Sequence, residues 1–232
     1  MRSSAKLVKL LDQKFLGSDT FSQALTHRSA SSKHNERMEF LGDSVLGLIV
    51  TDALYKNMPK ASEGYLSRLR ASLVNENTLA EIANELSLGD FLRLGAGELK
   101  SGGFRRKSIL SDALEAVIAS IYLEKGMAAA SKFVLQIYAD RLQQLPGEDE
   151  LKDPKSRLQE ALQARNHEIP KYKLLSVSGD AHRQVFTAEC VIPSMKIKTR
   201  GVASSRRKAE QQSAQNAYEK VMQKFKQSKK NK

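Results

Sequence analysis

Apolar residues recur at helical spacing through the first 145 residues, a pattern that predicts a domain built almost wholly of helices. Leu7, Val8, Leu10 and Leu11 open one such run, residues 40–50 form a second and residues 66–86 a third. ILSDALEAVIASIYL, residues 109–123, predicts a further apolar helix, and Phe133, Val134, Ile137, Tyr138 and Leu142 mark another. LPGEDELKDP then breaks the periodicity with Pro146, Gly147, an acidic run and Pro154, which reads as a linker. Beyond it SRLQEALQARN predicts a short helix, and KYKLLSVSG, QVFTAECVI and MKIKTRGVA predict three strands. In the third, Met195 and Ile197 alternate with Lys196, Lys198 and Arg200, the period of two of a sheet with one wet face. A closing helix begins near Ser204, with Ala214, Ala217, Tyr218, Val221, Met222 and Phe225 as its apolar stripe. The expected layout is an all-α domain over 1–146, a linker over 147–153, a small α+β domain of α-β-β-β-α order over 154–225, and a disordered basic tail over 226–232.

Charge sharpens this division. The chain carries a formal net charge of +12, which suggests a polyanionic partner. Residues 1–147 hold 19 Lys+Arg and 16 Asp+Glu, whereas residues 148–232 hold 19 and 10, so most of the excess lies in the smaller C-terminal part. The single cysteine, Cys190, excludes an internal disulfide, and no charged start followed by an apolar stretch marks a signal peptide. No apolar run approaches the roughly 18 residues of a membrane span. A soluble, cytoplasmic protein without a membrane partner is expected.

Within the helical part, HNERMEFLGDSVL places Glu36, Glu39 and Asp43 within about 60° of one another on a helix. Asp43 is the only charge in FLGDSVLGLIV, and a buried, uncompensated carboxylate costs several kcal/mol or takes up a proton. The later apolar helix repeats the oddity with Asp112 and Glu115 at i and i+3. If the two helices pack face to face, Glu39, Asp43, Asp112 and Glu115 converge, and an all-oxygen set suits Mg²⁺, with Mn²⁺ as substitute. Such a site is suited to phosphodiester hydrolysis. The competing account is structural: each acid caps a helix or pairs with Arg37, Arg68 or Arg70. Di-iron Glu-x-x-His pairs and zinc His-Glu-x-x-His spacing are both absent from the sequence.

HNERMEFLGDSVL, with ELKSGGFRRKSILSDALEAVIAS, resembles the two catalytic segments of the ribonuclease III family, and the C-terminal helix, three strands and helix resemble a double-stranded-RNA-binding domain. The resemblance covers nearly the whole chain. It implies that Glu39, Asp43, Asp112 and Glu115 form the metal-binding set, with Asp43 and Glu115 central to cleavage and Glu36 near the cut region. It further implies a homodimer that cuts both strands of duplex RNA, leaving 5′-phosphate and 3′-hydroxyl ends with short 3′ overhangs, with precursors of ribosomal RNA among the substrates and no organic cofactor. Spare apolar area on helices 40–50 and 109–123 is compatible with a second subunit, and Gly42 and Gly47 fit close backbone approach, at that interface or within one chain.

SSRRKAEQQ adds a separate signal. Ser204 or Ser205 would cap a helix whose first turn holds Arg206, Arg207 and Lys208, cations at the positive end of the dipole. A bound phosphate resolves that conflict, and the resemblance puts this cluster over phosphates of duplex RNA. It also assigns RNA contacts to Gln159 and Glu160 on the short helix and to His182 in the loop between the first two strands. Glu210 departs from the family's usual lysine, which implies weaker or absent contact there. In KSGGFRRKS, a flexible loop with Lys100, Arg105, Arg106 and Lys107 is placed to hold a backbone phosphate near Asp112; a mobile, solvated loop is the alternative. Two rivals to the nuclease reading remain: a non-catalytic RNA-binding protein, and a phosphohydrolase of small substrates.

Overall fold

Side-chain caps start many of the helices in the first part of the chain. Asp12 accepts from the Phe15 amide at 2.8 Å, Ser18 from Phe21 at 3.1 Å, Ser62 from Tyr65 at 3.2 Å and Asn75 from Thr78 at 3.1 Å. The computed structural model describes residues 5–180 and 183–230, which fall into two compact units, Met1–Pro146 and Gly147–Lys232. In the first, α1 (Ala5–Leu10), α2 (Gln13–Leu16) and α3 (Asp19–Ala24) lead into the 22-residue helix α4 (Glu36–Asn57). Helices α5 (Glu63–Leu73), α6 (Glu76–Glu85) and α7 (Ala96–Lys100) follow. They connect to α8 (Lys107–Ile137), broken at Gly126, and to α9 (Ala139–Gln143). Gly126 has φ 78°, a left-handed conformation that glycine adopts without strain.

The first half of α8 is the core of this unit. Ile109, Leu110, Ala113, Leu114, Val117 and Ile121 are all buried, and so are Ser111, Glu115 and Ser120 between them. A helix apolar on nearly all sides must be surrounded, and α3, α4 and α6 pack around it. The apolar area of 109–121 is therefore largely consumed within one chain, the alternative in which this helix fills its own core, while Leu123 stays exposed. On α4 an apolar stripe stays exposed: Phe40, Leu48 and Tyr55 are 79%, 58% and 72% exposed. Gly42 sits at the crossing of α4 with α8, where a Cβ would lie 1.9 Å from the Glu115 carbonyl oxygen. At Gly47 a Cβ would meet nothing within 4 Å.

The second unit contains α10 (Glu148–Leu151), α11 (Pro154–Gln163), the strands β1 (Lys171–Ser178), β2 (Val185–Ile192) and β3 (Ile197–Ala203), and α12 (Arg206–Lys230). The sheet is antiparallel in the order β1-β2-β3, with a bulge between Leu174 and Ser176. Leu158, Leu162, Cys190, Ile192, Ala217, Val221 and Phe225 form its core. Burial pushes the Cys190 thiol up to about 11.

Two details differ from the sequence reading. The stretch expected to be linker, 147–153, folds its acidic run into α10, because Glu148, Asp149 and Glu150 fall in a first turn where the helix dipole favours them. The tail expected to be disordered from 226 onward continues α12 through Lys230, since no Gly or Pro follows Phe225 to stop it. Among the described residues no helix is long and apolar enough to cross a membrane.

Candidate active site and nucleic-acid interface

The first turn of α4 and the second turn of α8 meet beside the Gly42 crossing, and three carboxylates meet with them. Glu39, Asp112 and Glu115 each offer an oxygen, and these atoms all lie within 4.8 Å of one another. Glu115 is only 9% exposed. Its pKa is pushed up to about 8, first by burial and then by the charges of Asp43, Asp112 and Glu39. Burial also raises Glu39, with Asp112, Glu36 and Asp43 adding to it. Asp112 is raised by burial too, against the opposing hydrogen bond from the Ser111 hydroxyl at 3.2 Å. Among the described residues no lysine or arginine forms an ion pair with any of the three, so pairing with Arg37, Arg68 or Arg70 does not account for them. Crowded, desolvated carboxylates without a lysine or arginine partner, with only His27 near enough to lower Asp112, fit a hard divalent cation, and this donor set holds oxygen alone.

Asp43 departs from expectation. It stands exposed, one turn beyond Glu39, outside the three-oxygen group but near enough for its charge to raise the Glu115 pKa. Its apolar neighbours Val45, Leu46 and Ile49 turn inward while it turns out, so the cost of burial falls on Glu115 instead. Glu36, also exposed, pairs with Arg28 at 3.3 Å and lies 3.8 Å from His34.

Glu36, Glu39 and Asp112 line a cleft of about 570 Å³ whose other walls include His27, Glu98 and Arg106. Sequence reading had not singled out His27, Arg28 or Glu98. They arrive through a parallel bridge between Thr26 and Arg93, in which His27 N donates to Arg93 O at 3.0 Å and Arg93 N to Leu25 O at 2.9 Å. The sequence carries no sign of that bridge.

The basic segment after α7 folds into a tight turn. Gly102, at φ 77°, turns the chain into a short 3-10 turn, Gly103–Arg105. Its cations separate. Arg106 pairs with Glu98 at 2.6 Å at the cleft mouth, Lys107 donates to Asn77 at 2.8 Å, Arg105 lies over the Phe104 ring at 5.0 Å, and Lys100 is exposed.

In the second unit Ser205 caps α12, accepting from Lys208 N at 3.3 Å, and Arg206, Arg207 and Lys208 all stand exposed in its first turn. Glu210 binds Lys155 at 2.8 Å and Arg206 at 2.9 Å, and these two cations hold its carboxyl below the usual range. The acid in the place of a lysine thus braces α11 against α12. Gln159 and Glu160 are exposed on α11, with Glu160 bonded to Lys152 at 2.7 Å. His182 lies outside the described residues.

Comparison with known proteins places both units. Residues 18–142 match the Ribonuclease-III-like family and residues 154–221 the double-stranded RNA binding motif. The chain is 53% identical to Ribonuclease 3 of Buchnera aphidicola subsp. Baizongia pistaciae over 212 residues, 91% of this chain and 94% of that protein. The chain belongs to the ribonuclease III family. Ribonuclease 3 of Vibrio cholerae is 50% identical over 216 residues, 93% of this chain and 96% of its own. The nuclease domain of ribonuclease III from Campylobacter jejuni superposes with a TM-score of 0.56 at 42% identity, covering 63% of this chain and all of that one. As a ribonuclease III the chain is an endoribonuclease, a hydrolase of phosphodiester bonds, joined to a double-stranded-RNA-binding domain. The ribonuclease III family depends on metal, and the acidic cluster is the feature of this chain that answers to that dependence.

Proposed function

We propose that the chain cleaves both strands of duplex RNA by hydrolysis that requires Mg²⁺, or Mn²⁺ in its place, and leaves 5′-phosphate and 3′-hydroxyl ends with short 3′ overhangs. Ribosomal RNA precursors and other structured transcripts in the cytoplasm are the substrates of this reading. The observation that carries it is the uncompensated group Glu39, Asp112 and Glu115 at a cleft with an arginine at its mouth. Those three residues would hold the cation, with Asp43 completing the set from the exposed side. A divalent cation there supplies a Lewis acid that lowers the pKa of water and offsets phosphate charge. The chain's own groups do the rest. Arg106 neutralises a backbone phosphate at the mouth, Glu36 with Arg28 positions the strand at its edge, and buried Glu115 fixes the geometry from below.

Residues 1–146 form the catalytic domain in this reading, 147–153 join it to an RNA-binding domain over 154–225, and two copies of the chain act together. Phe40, Leu48 and Tyr55 fall within about 80° of one another on α4, and a second subunit covers that stripe. One structure of the Campylobacter jejuni nuclease domain, 44% identical with a TM-score of 0.54, covers 57% of this chain and 96% of its own; it is described as flexible in a region involved in dimer formation.

The test is a gel assay on an end-labelled duplex of about 30–60 base pairs, a length beyond the span of about 16 of one RNA-binding domain. Products are expected from duplex with Mg²⁺ and not with EDTA or from single strands; a duplex that is shifted but uncut in Mg²⁺ and Mn²⁺ would leave the protein a binder alone. In the same system, Arg206→Ala with Arg207→Ala is expected to weaken duplex binding and lower its salt slope by about 1 to 2. An unchanged slope would take the first turn of α12 out of the RNA interface.

A further inference from the structure

The RNA-binding unit carries a second basic surface at the far end of its sheet. Ser178 pairs with Val185 and Phe186 with Ala203, so the β1–β2 loop and the start of α12 share one end. At the other end, between the β2–β3 turn and the last turns of α12, opens a groove of about 840 Å³. Lys196, Lys198, Lys220 and Lys224 line it, and no carboxylate does. A second groove of about 700 Å³ continues along β3 past Arg200 and Asn216, where Glu189 and Glu219 join Lys198 and Lys220 in the lining, so the basic character is strongest in the first groove. Lys220 lies about 20 Å along the axis of α12 from Arg207, at 1.5 Å per residue.

Cross-strand pairing extends the charge onto the wet face of the sheet. Lys171, Val191 and Lys198 form one row, and Lys173, Glu189 and Arg200 the next. Among the described residues Lys171, Lys173, Lys196, Lys198 and Lys220 form no ion pair; Arg200 reaches Glu189 at 3.8 Å, and Lys224 donates to the Met195 carbonyl at 2.7 Å. A row of unpaired cations repels itself unless an anion lies over it. Strand addition by an acidic peptide is hindered, because the outer edge of β3 is already bonded: Gln212 accepts from Val202 N at 2.8 Å and Asn216 donates to Arg200 O at 2.8 Å. What remains is donor side chains curving around an edge, which suit phosphate and ribose oxygens.

We propose that this face is a second RNA-backbone site, so that one RNA-binding domain holds two segments of a folded RNA and favours branched RNAs over short linear duplexes. The proposal rests on the first turn of α12 holding the other segment. The test uses the full chain in EDTA, on a linear duplex of about 16 base pairs, the span of one such domain, and on a three-way junction with arms of the same sequence. The triple variant Lys171→Gln, Lys198→Gln, Lys220→Gln changes exposed side chains only. It is expected to bind the short duplex within about twofold of wild type and the junction roughly tenfold more weakly, with a salt slope lower by about 2. Arginine at the same three positions is expected to restore junction binding. Equal loss on both RNAs would merge the face with the first site, and no loss on either would remove it. Polyglutamate that displaces junction RNA from wild type but not from the triple variant would assign the face to an acidic protein instead. Arg206→Ala with Arg207→Ala is expected to weaken both RNAs; if it weakens neither, the first-site reading fails on its own account.

Discussion

Glu115→Gln is expected to slow duplex cleavage roughly 10³-fold or more, a loss of several kcal/mol of transition-state stabilisation, while RNA binding in EDTA stays within about twofold. Glutamine keeps the shape of the side chain and removes the charge that a cation needs. The same substitution has an opposite signature in stability. The folded protein holds the Glu115 carboxyl at about 8, against an ordinary value of 4.5, so the folded state binds that proton more tightly than the unfolded state. Its stabilising contribution is therefore full below pH 4.5 and is lost as pH rises through 8. In EDTA, Glu115→Gln is expected to raise stability at pH 8 by on the order of 1–3 kcal/mol and to change little at pH 5, while added Mg²⁺ stabilises wild type more than the variant. Thermal melts at the two pH values, with and without Mg²⁺, read all of this. A variant that cuts at the wild-type rate, or that is destabilised at both pH values, would remove Glu115 from the centre.

Gly42→Ala is expected to damage fold and site together. The new methyl group would lie 1.9 Å from the carbonyl oxygen of Glu115 and 2.4 Å from its carbon, and both are backbone atoms that cannot rotate away. The helices α4 and α8 must separate, at a cost of about 1–3 kcal/mol or more. Because Glu39 rides on one helix and Asp112 and Glu115 on the other, the same shift spreads the three carboxylates. A displacement near 1 Å is enough to cost about 10²-fold in rate. Gly97→Ala, on exposed helix with open space at its Cβ, is the control and is expected to gain about 0.5–1 kcal/mol. Wild-type activity and stability in Gly42→Ala would mean that the helices cross less tightly than they do here.

Much of this architecture was legible because the period of the apolar residues reports directly on burial. The span 113–121 is buried all round and reads as apolar residues interrupted only by Glu115 and Ser120; MKIKTRGVA alternates because one face of β3 is wet. Three of the four acids singled out do meet, since i, i+3 spacing on α8 fixes Asp112 and Glu115 to one face and Glu39 lies across the crossing. The burial expected of Asp43 is not found, because a charge among apolar neighbours looks buried, whereas Asp43 and neighbouring Phe40 both face outward. The walls of the cleft were invisible for a different reason. His27 and Glu98 are brought together by backbone pairing of Thr26 with Arg93, and backbone hydrogen bonds leave no mark on residue identity. The fate of the KSGGFRRKS cations was equally hidden, because Asn77 and Glu98, which take two of them, come from outside that run of charge.

The sole thiol, buried in the second unit with its ionisation suppressed, makes the chain its own probe of local opening. An alkylating reagent reacts with thiolate, which Cys190 in place supplies only sparingly at neutral pH. Alkylation then proceeds through molecules in which the sheet has parted from its helices, and its rate as a fraction of that of a free thiol gives the equilibrium constant for parting. The helical unit, which has no cysteine, stays silent in such a measurement. The resilience of the RNA-binding half can thus be timed inside the intact enzyme, with native sequence and no attached dye.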